Sequence, residues 1–489
     1  MSGRSTGLEP ATFGSTNVSP QNVNYRQFLV FNVAICYHEI MRRAYLEKLI
    51  HWKNKLDRKP LILKGVRQVG KTYLLKHFGN EYFPAVHYLN FEKESQLVKI
   101  FEQDIDPQRI VSEIELYLSR KINKEKDLLI FDEIQICPRA LTSLKYFQEE
   151  MPELALASAG SLLGIYLGPV SFPVGKVDIL TLYPMSFEEF LIAIDEQMAY
   201  DFLKRVTIDT KIPDILHDKL WRNLKLYFIV GGLPEAVVTF CLNKESLYEA
   251  LEMVRSKQMN VINAYYADIA KHSGKKSAMH IERVFRAIPL QLAQAQDGNA
   301  KKFSFKGVIP GVDRYSRLAG PIDWLQACGL IIKIPICHSA QLPLLAYTKE
   351  NIFKLYIFDV GLLGAMSNLA PKVIYDYDYG SFKGYFAENF VAQEFLYSGA
   401  QFLCSWHEKN SELEFLQELE GTIIPVEVKS GWITQAKSLK VFKGRYHPPY
   451  SIIFSAKKLS VNEKEGLIRS PLYLANQFFK SQRLLLRIA

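Results

Sequence analysis

Eight consecutive residues, Gly65-Val66-Arg67-Gln68-Val69-Gly70-Lys71-Thr72, read G-x-x-x-x-G-K-T. Glycines at that spacing let the backbone turn tightly, so its N–H groups can wrap a phosphate. A helix starting there adds the positive end of its dipole. Lys71 would reach the β/γ-phosphates and Thr72 would hold Mg²⁺ through its hydroxyl, so ATP and Mg²⁺ are the expected ligands. A second acid is needed, and Leu128-Leu129-Ile130-Phe131 ends in Asp132-Glu133 about sixty residues downstream. Asp132 would reach Mg²⁺, and Glu133 would orient and deprotonate the attacking water. A third apolar run, Leu154 to Ala157, closes in Ser158-Ala159-Gly160-Ser161. Ser161, rather than Ser158, is the expected sensor of the γ-phosphate; a helix cap is the structural alternative.

A second constellation lies near the other end. In Ile424-Pro425-Val426-Glu427-Val428-Lys429 the apolar residues share one strand face, and Glu427 and Lys429 share the other. Glu412 and Glu414 likewise share a face of an upstream run. In the helical stretch Phe386 to Leu396, Glu388 falls in register with Val391, Ala392, Phe395 and Leu396, so it points along the apolar side. A carboxylate there needs a partner or a metal. Acid on a helix, acid on a strand, then Glu-x-Lys is the layout of the PD-(D/E)xK nucleases. In that chemistry Glu388, Glu414 and Glu427 hold Mg²⁺ beside a phosphodiester and Lys429 steadies the charge. Glu414 stands where Asp is expected, and its extra methylene moves the carboxylate by roughly 1.5 Å.

These groups have to be positioned by the elements around them. Pro60 to Leu63 is a short apolar strand and Thr72 to Phe78 has helical spacing, so the glycine loop joins a strand to a helix. Strands are expected at 61–64, 86–90, 128–132 and 154–159, with one more near 180–183. Alternating with helices, they spell a parallel sheet. Ser186 and Glu189 form a capping box that opens the next helix. Residues 187–270 read as helical, broken at Gly231-Gly232-Leu233-Pro234. Asp313 to Cys328 reads as an amphipathic helix followed by a β-ribbon from Gly329, which together make a winged-helix segment.

The chain has 489 residues, 48% of them hydrophobic and 23% charged, which suits about three globular domains. With no run of 18 apolar residues, neither a transmembrane span nor a membrane partner is expected. The six cysteines show no C-x-x-C spacing, which argues against zinc or redox motifs and suits a cytoplasmic location. The net charge of +9 is uneven. Residues 430–489 hold eleven Lys/Arg against Glu463 and Glu465, and residues 271–317 hold ten against three acids. Two basic zones on a neutral body suit DNA, while a solvated surface is the plainer explanation. Residues 1–40 are rich in Ser, Asn, Gly and Pro at the start and carry the apolar run Phe28 to Tyr37, so they are expected to be a disordered or atypical extension.

From about Met41 onward the chain resembles a family of bacterial and archaeal AAA-type ATPases that end in a domain of unknown function. The resemblance is carried by Gly65 to Thr72, Phe131-Asp132-Glu133-Ile134-Gln135, Ala159-Gly160-Ser161-Leu162-Leu163 and Ser171 to Lys176. Tyr183 to Phe187, Gly231 to Glu235, Asp359 to Leu363 and Ile424 to Gly431 complete it. The resemblance implies ATP binding, a helical lid, a winged-helix segment and a C-terminal fold like restriction endonucleases. The expected fold is therefore α/β: a P-loop NTPase core over 41–190, a helical lid over 191–274, a winged-helix-like segment over 275–365 and a restriction-endonuclease-like domain over 366–489. Three functions are compatible with it. The chain is a Mg²⁺-dependent ATPase acting as a switch on nucleic acid or a protein partner, an ATP-gated metal-dependent nuclease, or a non-catalytic ATP-dependent DNA-binding regulator. Arg67 and Arg139 are the candidates for an arginine finger.

Overall fold

The computed structural model describes residues 43–161, 173–294, 301–376, 384–432 and 436–477. The extension expected over 1–40, with Phe28 to Tyr37, lies outside them, as do parts of the Ala159–Leu163 and Ser171–Lys176 stretches and of both basic zones.

The first sheet holds five strands: β1 (Leu61–Lys64), β2 (Val86–Asn90), β3 (Leu128–Asp132), β4 (Ala155–Gly160) and β5 (Asp178–Thr181). They lie in the order β2-β3-β4-β1-β5, and every pairing is parallel. Strand alternation divides their side chains between two cores. Leu61, Leu63, Leu128, Ile130, Ala155 and Ala157 face one, and Ile62, Leu129, Phe131, Leu156 and Leu89 face the other. Both faces are apolar because helices cover both, which is why the strands read as unbroken apolar runs. The expected strands thus fold as an α/β parallel sheet; the fifth sits two residues earlier than its apolar run suggested.

Beyond the capping box at Ser186 and Glu189, which forms as read, helices follow at 187–193, 197–205, 214–230, 234–243, 247–272 and 275–293. A second sheet is mixed. It contains β6 (Ile331–Cys337), β7 (Thr348–Ile357), β8 (Cys404–Glu408), β9 (Ser411–Leu419), β10 (Thr422–Val428), β11 (Ser451–Ser455), β12 (Ser460–Asn462) and β13 (Leu467–Pro471). The order is β12-β13-β11-β10-β9-β8-β6-β7. The hairpin β6–β7, expected as the wing, pairs in parallel with β8. One sheet therefore runs across position 365.

The break at Gly231-Gly232 is a packing point. Gly231 ends its helix at φ 72°, in the left-handed region where glycine is favoured. Gly232 exchanges main-chain hydrogen bonds on both sides: Met185 N–H donates to its carbonyl at 2.7 Å, and its own N–H donates to Asp359 Oδ2 at 2.7 Å. A Cβ on Gly232 would overlap the Met185 carbonyl oxygen. Backbone cannot retreat there without breaking those bonds. Gly232→Ala should therefore destabilise the fold by at least about 2 kcal/mol, as strain at a fixed backbone contact does. Thermal or urea unfolding of purified protein checks this, and a variant within about 0.5 kcal/mol of wild type refutes it.

Candidate nucleotide site and the C-terminal acid cluster

The glycine loop leaves the carboxyl end of β1, and the helix 71–82 starts at Lys71. Gln68 and Gly70 are left-handed, at φ 63° and 94°. Lys71 is buried and donates to the carbonyls of Gly65 and Val66 at 2.9 and 2.8 Å. Burial pulls its pKa down to about 8, against the upward pull of Glu133 and Asp132 and alongside the repulsion of Arg67. Next to it, Thr72 Oγ1 donates to Asp132 Oδ2 at 2.8 Å. Tyr88 and Asn90, from the neighbouring β2, donate to the same oxygen at 2.7 and 3.3 Å. The register pairs Asn90 with Asp132, so the end of β2 is built to hold this carboxylate. Glu133 is left-handed at φ 52°, and Gln135 Nε2 donates to its Oε2 at 2.5 Å.

Thr72 and Asp132 therefore face each other with oxygen ligands of the kind Mg²⁺ takes, and the donor set fits that ion. Ser158 Oγ donates to the Leu61 carbonyl at 2.9 Å and is part of the sheet. Ser161 is also buried, yet its Oγ has no hydrogen-bond partner among the described residues. It lines a cavity of about 550 Å³ together with Gly65 and Val66. Residues 326–329, where a helix ends, residues 331–333, where β6 starts, and Leu403 line the same cavity, so the second sheet borders the glycine loop.

Two side chains from outside, Arg43 and Tyr265, fix the loop backbone. Buried Arg43 donates to the Val69 carbonyl at 3.1 Å, to the Tyr183 carbonyl at 2.7 Å and to Glu189 Oε1 at 3.1 Å. Tyr265, on helix 247–272, donates to the Arg67 carbonyl at 2.8 Å. Arg67 forms ion pairs with Asp268 and, at 3.2 Å, with Glu92. Arg139 donates to the Phe101 carbonyl. Arg43, Tyr88, Asn90 and Tyr265 were missed by motif reading. The signal for Tyr88 and Asn90 was available, since both alternate on one face of β2 at the level of Asp132.

Glu388 on helix 384–398, Glu414 on β9, Glu427 on β10 and Lys429 just after it lie near one another. Glu388 and Glu414 are 0% exposed and Glu427 is 3% exposed. Lys429 Nζ lies 2.6 Å from Glu427 Oε1, and Val428 N–H donates to Glu414 Oε2 at 2.9 Å. Burial, then repulsion from Glu414, pushes Glu427 up to about 8 despite Lys429. Burial likewise raises Glu414, opposed by Lys429 and Lys354. Lys354 was not anticipated. It comes from β7, is 0% exposed, and lies 2.5 Å from Glu412 Oε1 and 3.7 Å from Glu388 Oε2. Tyr356, two residues along the same strand face, donates to Glu388 Oε2 at 2.6 Å. Among the described residues, no group of three or more His, Cys, Asp or Glu is arranged to hold a metal ion. No described helix is long and apolar enough to cross a membrane.

No curated protein matches the chain. Among solved structures it is similar to the Aeropyrum pernix ORC1 protein in complex with DNA, at 13% identity over 67% of this chain and 92% of that one, with a TM-score of 0.30. AMPPCP-bound DnaA from Aquifex aeolicus aligns at 18% identity over 57% and 86%, with a TM-score of 0.27. The Thermotoga maritima RuvB Holliday junction branch migration motor aligns at 15% identity over 65% and 90%, with a TM-score of 0.28.

Three families match parts of the sequence: an AAA domain over residues 57–191, a domain of unknown function (DUF8612) over 222–373 and another (DUF4143) over 383–473. The low pKa of Lys71 makes nucleotide binding pH-dependent with a definite sign. Phosphates favour the ammonium, so affinity should fall as pH rises through about 8 and a proton should be taken up on binding. From pH about 7 to about 9 the loss should approach ten-fold, and Lys71→Arg should not show it, because guanidinium stays charged. Calorimetry with a non-hydrolysable ATP analogue in two buffers measures both, and equal slopes for the two proteins refute the assignment. Fold, glycine loop and family match together make residues 57–191 a P-loop domain of the AAA type.

Proposed function

We propose that this chain hydrolyses ATP with Mg²⁺ and uses the nucleotide state to move its helical and C-terminal parts against a nucleic-acid or protein partner. The observation that carries this reading is the meeting of Lys71, Thr72, Asp132 and Glu133 at the carboxyl ends of β1 and β3. That is the edge at which parallel α/β sheets take their ligands.

In this reading Gly65 to Thr72 bind the phosphates through backbone N–H groups, and Lys71 gives up its two carbonyl partners for the β/γ-phosphates. Thr72 and Asp132 hold Mg²⁺, which neutralises developing charge on the phosphate oxygens when bound. Glu133 exchanges Gln135 for the attacking water and takes its proton. Ser161, with its unpartnered buried hydroxyl, reads the γ-phosphate. The domain extents follow the sequence reading: core over 41–190, lid over 191–274, winged-helix-like segment over 275–365 and C-terminal domain over 366–489. The bond from Tyr265 to the Arg67 carbonyl supports the lid, because helix 247–272 touches the loop whose shape must change. Helix 275–293, helix 315–327 and the hairpin β6–β7 support the winged-helix segment. Lys301, Lys302 and Lys306 rim a cavity of about 300 Å³ beside that first helix, which supports an anionic partner such as DNA.

The order helix 384–398, β8, β9, β10, helix 437–446, β11 and the meeting of Glu388, Glu414, Glu427 and Lys429 support a restriction-endonuclease-like layout for the C-terminal domain.

The test separates binding from chemistry. Lys71→Ala should abolish ATP binding, since it removes a charge-assisted contact to the phosphates. Glu133→Gln should bind ATP nearly normally and hydrolyse it at least ~100-fold more slowly, the usual scale for losing a general base. Phosphate release measured beside nucleotide affinity decides it. A Glu133→Gln variant that hydrolyses at the wild-type rate removes Glu133 from the role.

A further inference from the structure

We propose that Lys354 is the resident cation of the C-terminal acid cluster, occupying the position that a divalent metal would need, so that this domain runs no metal-dependent reaction.

The geometry of the cluster carries this. Four carboxylates, Glu388, Glu412, Glu414 and Glu427, share a region served by two ammonium groups. Lys354 reaches into it from β7 and is fully buried, at 2.5 Å from Glu412 and 3.7 Å from Glu388. Lys429 closes the other end on Glu427 at 2.6 Å. The Glu388 oxygen that faces Lys354 also accepts the Tyr356 hydroxyl at 2.6 Å. A divalent ion at that oxygen would have to share it with the Tyr356 hydroxyl and would lie close to the Lys354 ammonium. A divalent ion beside Glu388 would moreover sit against a fully buried ammonium. Like charges at such range repel strongly where water is excluded. The nuclease chemistry expected of Glu388, Glu414, Glu427 and Lys429 needs three carboxylates free for metal. Here one Glu388 oxygen accepts the Tyr356 hydroxyl and lies 3.7 Å from the buried Lys354 ammonium.

Some buried oxygens of the cluster have no hydrogen-bond partner among the described residues. Glu414 Oε1 and Glu427 Oε2 are two of them. They mark where a metal would bind if the ammonium were removed. Lys354 on β7 and the acids on β9 and β10 belong to one sheet, so the ammonium is delivered by the hairpin that joins β8 in parallel. The hairpin supplies in covalent form the charge that a metal would bring.

Mn²⁺ titration of the nucleotide-free full chain, with free ion followed by electron paramagnetic resonance, tests this. Wild type and Glu414→Gln should bind the same number of Mn²⁺ ions. Lys354→Met should gain one site, and the double variant Lys354→Met/Glu414→Gln should lose it again. The melting temperature should repeat the pattern, rising with Mn²⁺ over chelator in Lys354→Met by several degrees more than in wild type. A wild-type Mn²⁺ site that disappears in Glu414→Gln overturns the proposal. So does a folded Lys354→Met that gains none. Where Lys354→Met does not fold in chelator, Lys354→Met/Glu412→Gln removes one acid with the ammonium. That variant should fold, and its failure to do so also overturns the proposal.

Discussion

A helix buried on nearly every side must satisfy its polar side chains inside the protein, and helix 384–398 places four of them there: Glu388, Asn389, Gln393 and Glu394. Each unpartnered group would cost about 1–3 kcal/mol, so each one dictates what packs against it. Asn389 binds both the N–H and the carbonyl of Ile357, at 2.9 and 2.8 Å, and so fixes the end of β7. Gln393 accepts from Val360 N–H at 3.0 Å and donates to Tyr227 at 2.6 Å. Glu394 accepts from Phe187 N–H at 3.0 Å and from Asn476 at 2.6 Å. One helix thereby binds the helix start at Phe187, the long helical segment, the β6–β7 hairpin and the last described residues of the chain.

The same constraint repeats one layer away at Asp359. Its carboxylate caps the helix 360–366 through Leu362 N–H at 3.0 Å and holds Gly232 N–H at 2.7 Å. Burial raises it to about 6 in spite of these bonds. Gly231 and Gly361 approach so closely that a Cβ on either would collide with the other side of the contact. Helix 214–230, the Met185 turn and the 359–366 segment therefore cannot slide independently. On the far side of the core, Arg43 and Glu189 hold the glycine loop to the same Met185 turn region through Val69 and Tyr183. The loop and the C-terminal sheet are thus joined by a continuous series of buried hydrogen bonds and backbone contacts.

Much of this was legible in the residues. The five parallel strands announced themselves because strands covered on both faces are apolar throughout, and Lys64, Asp132 and Gly160 mark where each of three ends. The capping box at Ser186 was equally local. What could not be read was long-range. Lys354 sits in the run Ile352-Phe353-Lys354-Leu355-Tyr356-Ile357, and a lone charge in such a run announces only that it needs a partner, not which one. The wing and the C-terminal sheet looked like separate units because the β6–β8 pairing spans about seventy residues and leaves no periodic trace. Arg43 was hidden for the same reason: its partners Val69, Tyr183 and Glu189 are scattered across the core.

The two acidic sites, at Asp132 and around Glu414, use similar residues to opposite effect. At Asp132 the hydrogen-bond donors found among the described residues are all neutral: the Thr72, Tyr88 and Asn90 side chains and the Glu133 N–H. Neutral donors orient a carboxylate without cancelling its charge, so the negative field stays available at the mouth of the glycine loop. Around Glu414 the partners include two ammonium groups, and the field is consumed within the protein. Orientation by dipoles therefore suits a site that must take and release an ion in every cycle. Neutralisation by fixed ammonium suits one whose acids hold a sheet together. The difference lies in the second layer of residues rather than in the carboxylates themselves, which is why a pattern of acids alone did not distinguish the two.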